Sequence, residues 1–161
     1  MNESETPAFG AEEEFEQRRR EFDEWVKNVR DPATKATEGV RTIGSRKIHA
    51  EASYQIAPLP DGRFALKFSL EFHTGDTHGH GSPWQAYDTR EECVEAFLEA
   101  ARKHFRPRQG KGTQVEAQRH MLALLTDTGL FGFTEPEPVP FAIRRGVQEK
   151  LDALMQGGRH G

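Results

Sequence analysis

The sequence predicts an α+β fold: a three-stranded antiparallel sheet with one face covered by helices, in the order α-β-β-β-α-α-α. Three observations carry this expectation. Two neighbouring runs, 48–56 and 64–72, alternate apolar and polar residues with the period of a half-buried strand. Stripes of helical period flank them on both sides. The strong apolar residues Leu, Ile, Val and Phe are about a fifth of the chain, at the margin of what a folded domain needs. They gather on those runs and stripes, leaving 1–11, 33–46, 73–82, 107–112 and 157–161 almost bare.

The first element is an arm helix over Glu12–Arg30. Glu12, Glu13 and Glu14 suit the positive end of the helix dipole. Phe15, Phe22 and Val29, with Trp25 and Val26 between, form a narrow seven-residue stripe too short for a coiled coil of its own. Docking on the chain's own core is the plain reading. A partner or dimer contact is the sharper one, with Phe22 and Trp25 as anchors flanked by Arg18 and Arg19. Asp31-Pro32 is expected to end the helix, because the residue before proline is pushed out of the α region. Residues 33–46 show no period and read as a linker.

The strands come next. Ile48, Ala50, Ala52, Tyr54 and Ile56 share one face of the first strand, and Phe64, Leu66, Phe68, Leu70 and Phe72 one face of the second. Pro60 and Gly62 fit the second and last positions of the turn between them. A short third strand, 83–87, leads to Thr89 and Glu92, a capping box opening a helix to about Phe105. Cys93 falls on that helix's buried face and reads as a small core residue rather than a reactive thiol. After a break at Pro107 and Gly110, Thr113 caps a helix whose Val115, Ala117, Met121, Leu122, Leu124 and Leu125 form a broad stripe to be buried. Gly129 suits its end, and Leu130, Phe131 and Phe133 form an apolar cluster. Glu135–Pro140 is a polyproline-like spacer before a last helix over 141–156. The expected divisions are an arm and linker over 1–45, a β-β-β-α core over 46–106, and two C-terminal helices over 107–161.

Residues 12–106 thus read α-β-β-β-α, with Gly79-His80-Gly81-Ser82 ahead of the last helix. That order resembles a double-stranded-RNA-binding domain. Its β-β-β-α part, entering the helix through Tyr87-Asp88-Thr89-Arg90-Glu91-Glu92, is similar to the arm-binding domains of some phage integrases. The first resemblance implies phosphate-holding lysines at the start of the last helix, where this chain has Arg90, Glu91 and Glu92. The second implies a DNA-reading sheet face, and here Lys47, Arg63 and Lys67 are mixed with Glu51 and Glu71.

Charge narrows the function classes. The net charge is −4, and residues 1–30, with 9 acids and 5 bases, carry all of it. A neutral body does not bind nucleic acid through bulk charge. A local patch without acids remains: Arg102, Lys103, Arg106, Arg108 and Lys111, with Lys67 from the sheet, are the candidate nucleic-acid contacts. Cations at a helix C-terminus also complement its dipole, which is the structural alternative.

The remaining cluster is His73, Asp76, His78 and His80, four residues of ligand type in eight. Such a set suits zinc, and its His-x-His resembles that of cupins, although the glutamate expected after it is missing and glycines at 75, 79 and 81 loosen the loop. A metal-dependent enzyme at this loop is therefore one alternative. No phosphate-binding glycine loop, dinucleotide fingerprint, Cys-x-x-Cys or Gly-x-Ser-x-Gly occurs. The leading expectation is a non-enzymatic interaction module without cofactor. It would be a small regulator, accessory protein or inhibitor, of the kind carried by phages or plasmids, acting on nucleic-acid machinery. Its partner would be another protein or a protein–nucleic-acid complex, with a homodimer as the alternative. A single cysteine, an acidic start and no long apolar run point to the cytoplasm and away from a membrane.

Overall fold

The two alternating runs build the centre of the sheet. In a computed structural model that describes residues 5–74, 79–106, 112–126 and 133–140, with side chains from Gly10, β2 (Ala50–Pro58) and β3 (Phe64–Phe72) pair antiparallel along their whole length. The turn between them behaves as the sequence implies. Gly62 N–H donates to the Leu59 carbonyl at 3.1 Å, which puts Pro60 second and Gly62 fourth in the turn. Ala52↔Leu70, Tyr54↔Phe68 and Ile56↔Leu66 are cross-strand partners on one face.

That face carries the main core. Helix α3 (Arg90–His104) lies over β3 and β2, and α4 (Thr113–Thr126) lies over β1 and β2. Cys93, Phe97, Ala101 and Phe105 meet Tyr54, Leu66, Leu70 and Phe72, with Met121 and Leu125 closing the far side. Phe97 and Phe105 have no exposed surface, and burial of such a ring contributes about 1.5–3 kcal/mol. Half of the capping box forms: Glu92 N–H donates to Thr89 Oγ1 at 3.2 Å, while the Glu92 carboxylate accepts from Asp88 N–H at 3.0 Å, one residue before the cap. Helix α4 begins at Thr113, with the Gly112 carbonyl accepting from Val115 and Glu116, so Thr113 lies inside the first turn. Leu124, expected to be buried, is 45% exposed, because it points away from the Met121–Leu125 edge that meets the sheet.

The sheet is larger than three strands. Residues 40–45, read as linker, form β1 (Val40–Ser45), an edge strand paired antiparallel to β2. On the other side of β3, two short strands share its edge: β4 (Gly79–Gly81) pairs with Ser69–Glu71, and β5 (Gln85–Tyr87) pairs with Phe64–Leu66. β1 was hidden because its Arg41 is buried where an alternating strand would carry an apolar residue. Gly44 sits at φ +86°, and a Cβ there would meet the Ala50 carbonyl and lie 3.0 Å from Met121 Sδ, so glycine is required where β1 crosses α4.

The arm runs further than expected. Helix α1 (Glu5–Trp25) passes through a π-helical turn at Val26–Arg30 into α2 (Asp31–Ala36). Asp31-Pro32 does not end it. The π turn lets Asp31 N–H reach back to the Val26 carbonyl, and Pro32 falls in the first turn of α2, where no N–H is needed. This junction covers one end of the sheet's second face. Ala57, Ala65 and Ala86 make a flat row across three strands, and Trp25, Val29, Ala33 and Trp84 pack on it. Gly129 and the last helix fall outside the described residues, as do Leu130 and Phe131.

Candidate functional site

The stripe read along the arm divides in two. Trp25 is half-buried and its Nε1 donates to the Trp84 carbonyl at 2.8 Å, while Val29 is buried against the alanine row. These residues dock the arm on its own domain, with Trp25 an internal anchor that keeps part of its surface exposed. Phe15 and Phe22 stay largely in water, at 68% and 55% exposed, although the Phe22 ring lies 5.7 Å from that of Trp25, and every residue from Gly10 to Glu24 is exposed. Phe15, Arg18, Arg19 and Phe22 stand at i, i+3, i+4 and i+7, so they share one helical face. That face alternates apolar, cationic and apolar groups.

The basic residues are partly assembled. Arg102, Lys103 and Arg106 are exposed at the C-terminal end of α3, and Arg102 Nη2 donates to the Leu125 carbonyl at 3.2 Å, closing the last turn of α4. A groove of about 660 Å³ runs between α3 and α4 beside them, with Leu98 and Leu122 in its lining and Glu95 and Glu99 among its charges. A second cavity, of about 560 Å³, opens on their other side towards Phe72, His80 and Gln118. Lys67 does not join this group. It is the cross-strand partner of Gln55 on the sheet face opposite the helices. Arg108 and Lys111 lie outside the described residues.

The two described histidines of the loop are not brought together. His73 Nε2 lies 3.5 Å from Glu51 and 3.9 Å from Glu71, on the sheet's second face. His80 is the partner of Leu70 and its ring lies 6.1 Å from Phe68 and 6.3 Å from His104, on the helix-covered side. Asp76 and His78 fall outside the described residues. Among the described residues no three His, Cys, Asp or Glu side chains are grouped to hold a metal ion such as zinc. Cys93 is fully buried, and burial followed by the charge of Glu92 pushes its thiol up to about 12, which leaves it protonated at neutral pH.

A charged ring absent from the sequence reading ties three segments together. Arg41, 3% exposed, pairs with Glu38 at 2.7 Å and through Nε with Glu135 at 2.8 Å. Arg90 holds Glu135 with both terminal nitrogens at 2.6 and 3.0 Å and reaches Glu38 at 3.1 Å. Burial would raise the Glu38 carboxyl, but the hydrogen bonds from Arg41 and Arg90 outweigh it and hold it below its ordinary value. Burial, and then the charge of Glu135, pushes the Tyr54 phenol up beneath the Arg41 guanidinium. The ring fastens residues 133–140 to β1, where Val139 and Val40 exchange two backbone hydrogen bonds of 2.9 Å. Only Glu38 and Arg41 are near in sequence; Arg90 and Glu135 come from far along the chain, so no local signal marks the ring.

No protein-family model matches the chain, nor does any curated protein or solved structure. Among the described residues, no helix is long and apolar enough to cross a membrane.

Proposed function

We propose that this protein is a non-enzymatic interaction module, a small regulator or accessory protein, that engages another protein by laying the exposed face of α1 into a groove. The observation that carries the reading is the pair Phe15 and Phe22, two large rings held in water seven residues apart on a helix whose root is fixed by Trp25 and Val29. Full burial of each ring would contribute about 1.5–3 kcal/mol, which makes the pair a ready source of binding energy. Arg18 and Arg19 between them favour a groove that is apolar at both ends and acidic at its middle.

The same face argues against a homodimer. Aligning Phe15 with Phe15, or antiparallel with Phe22, sets the Arg18 and Arg19 of two copies against each other. Contact with nucleic acid through Arg106 and Lys103 is a second reading, supported by their exposure at the end of α3.

Photo-crosslinking in the native host tests the proposal. A photoreactive residue at Arg19 is expected to trap one discrete partner, and the same residue at Pro60, on the exposed hairpin turn, to trap none. Equal labelling from both positions, or none from Arg19, refutes it.

A further inference from the structure

Taking the docking of α1 proposed above as given, we infer that the π turn at Val26–Arg30 adds Arg30 to the recognition face, and that the partner's groove carries a second acidic position to receive it.

The π turn has a cause in the sequence. Pro32 carries no N–H to close an α turn on the Asn28 carbonyl, and its ring would press on that oxygen in a continuous α-helix. The ladder widens instead, with Asp31 N–H donating to the Val26 carbonyl. Widening changes which side chains meet. In an α-helix, residue i+5 stands about 140° round the axis from residue i. In a π turn it closes the turn and lies above residue i.

Trp25 and Arg30 are such a pair. The Arg30 guanidinium lies over the Trp25 ring, 6.0 Å from its centroid, a cation–π distance. A continuous α-helix would carry Arg30 away from this face. The same turn also separates the recognition face from the docked one. Phe15, Phe22 and Val29 are spaced by seven, and in a continuous α-helix each would fall within about 20° of the next. Yet Val29 is buried while both phenylalanines lie largely in water. The extra residue of the π turn, between Phe22 and Val29, sets arm and root about 100° out of phase.

Arg30 is fixed in place and still open to a ligand. Its Nε donates to Asp31 Oδ1 at 3.2 Å and Trp25 backs the guanidinium, while its terminal nitrogens make no hydrogen bond with any described residue. The side chain is 46% exposed. An arginine ordered in this way loses little freedom when a carboxylate binds those nitrogens. The Phe22 ring lies 5.7 Å from that of Trp25, so the face runs on from Phe15, Arg18, Arg19 and Phe22 over the exposed edge of Trp25 to Arg30. Its cations stand at two places roughly 15 Å apart along the axis, with the rings of Phe22 and Trp25 between them. The groove that fits is acidic at two positions of that separation and apolar between them.

Photo-crosslinking of the full chain from position 19 in the native host tests the inference. The probe is the species trapped by the chain that is otherwise unchanged, identified by mass spectrometry. Arg30→Glu should lower its yield about tenfold or more, because a charge-assisted contact becomes a repulsion. Lys27→Glu makes the same change of charge at an exposed position on the opposite side of the helix, and should leave the yield within about twofold. Arg30→Lys keeps the charge and loses the flat stack, and should fall between the two. Arg30 is half-exposed, so the thermal midpoint of Arg30→Glu should fall by no more than about 2–4 °C. Should that variant unfold, Arg30→Ala decides, with an expected loss of about threefold or more. An unchanged yield with Arg30→Glu, or an equal fall with Lys27→Glu, overturns the inference and leaves the docking of α1 standing. Absence of any trapped species from position 19 overturns both.

Discussion

Glu135→Gln keeps the shape of the side chain and removes its charge from the ring around Arg41. In the folded chain Glu135 meets Arg41 Nε at 2.8 Å and Arg90 at 2.6 and 3.0 Å. Arg41 is 3% exposed, so its charge has little water to fall back on. Stranding a buried charge costs about 3–5 kcal/mol. Arg41 is not wholly stranded, because Glu38 at 2.7 Å and the Pro136 carbonyl at 3.1 Å remain. We therefore expect the lower part of that range from Arg41. The Arg90 side chain is 32% exposed, and its pair with Glu135 is screened enough to add no more than about 1 kcal/mol. The net loss is about 3 kcal/mol, which for a chain of this size is a fall of roughly 6–12 °C in Tm. Urea unfolding followed by far-ultraviolet circular dichroism measures it directly. A double-mutant cycle with Arg41→Gln should return a coupling of about 1 kcal/mol or more. A loss below about 0.5 kcal/mol, the level of an ordinary surface change, would refute the view that the ring fastens residues 133–140 to the sheet.

Three further outcomes follow from particular residues. Gly44→Ala should lower stability by about 2 kcal/mol or more in the same unfolding assay, since the new Cβ meets the Ala50 carbonyl at a positive φ; an unchanged midpoint would contradict the crossing of β1 and α4. Cys93 should react with a thiol reagent at the rate of global unfolding, because it is buried and its thiol is pushed up to about 12; rapid labelling of the native chain would contradict this. The Glu38 carboxyl is held below its ordinary value of 4.5, so the stability it contributes is present above that value and lost as pH falls through the lower, folded-state value. A pH series of urea midpoints should therefore decline on the acid side, less steeply in Glu38→Gln, and identical acid limbs would contradict the assignment.

Much of the fold could be read because its signals are local. The alternation over 50–56 and 64–72, the Pro60–Gly62 turn and the Thr89–Glu92 box each depend on residues within a few positions of one another. β1 could not be read, since the buried Arg41 is paired with Glu135 from a distant segment as well as with nearby Glu38, which Arg90 also holds. Pro32 misled for a different reason: a stop signal for an α-helix is absorbed by a π turn. The candidate sites were half legible. The stripe through Phe15, Phe22 and Trp25 was visible, but Trp84, the group that claims Trp25 and leaves the phenylalanines exposed, is 59 residues away. His73 and His80 looked like neighbours along the chain, yet an odd spacing across paired strands sends them to opposite faces. Gln118 carries no signal of its own in sequence. Its burial and its bond to the Arg106 carbonyl arise only where α4 passes the end of α3.

The central claim is that the exposed face of α1 binds a partner while contributing little to the fold. Phe15→Glu/Phe22→Glu tests it most directly, by quantitative affinity capture from the native host alongside thermal unfolding. Both rings are mostly in water and only Phe22 touches a docked residue, Trp25, so Tm should fall by no more than about 2–4 °C, and a specific captured species should disappear. Retention of every captured species by the double variant, or a fall in Tm comparable to that of Glu135→Gln, would contradict the account.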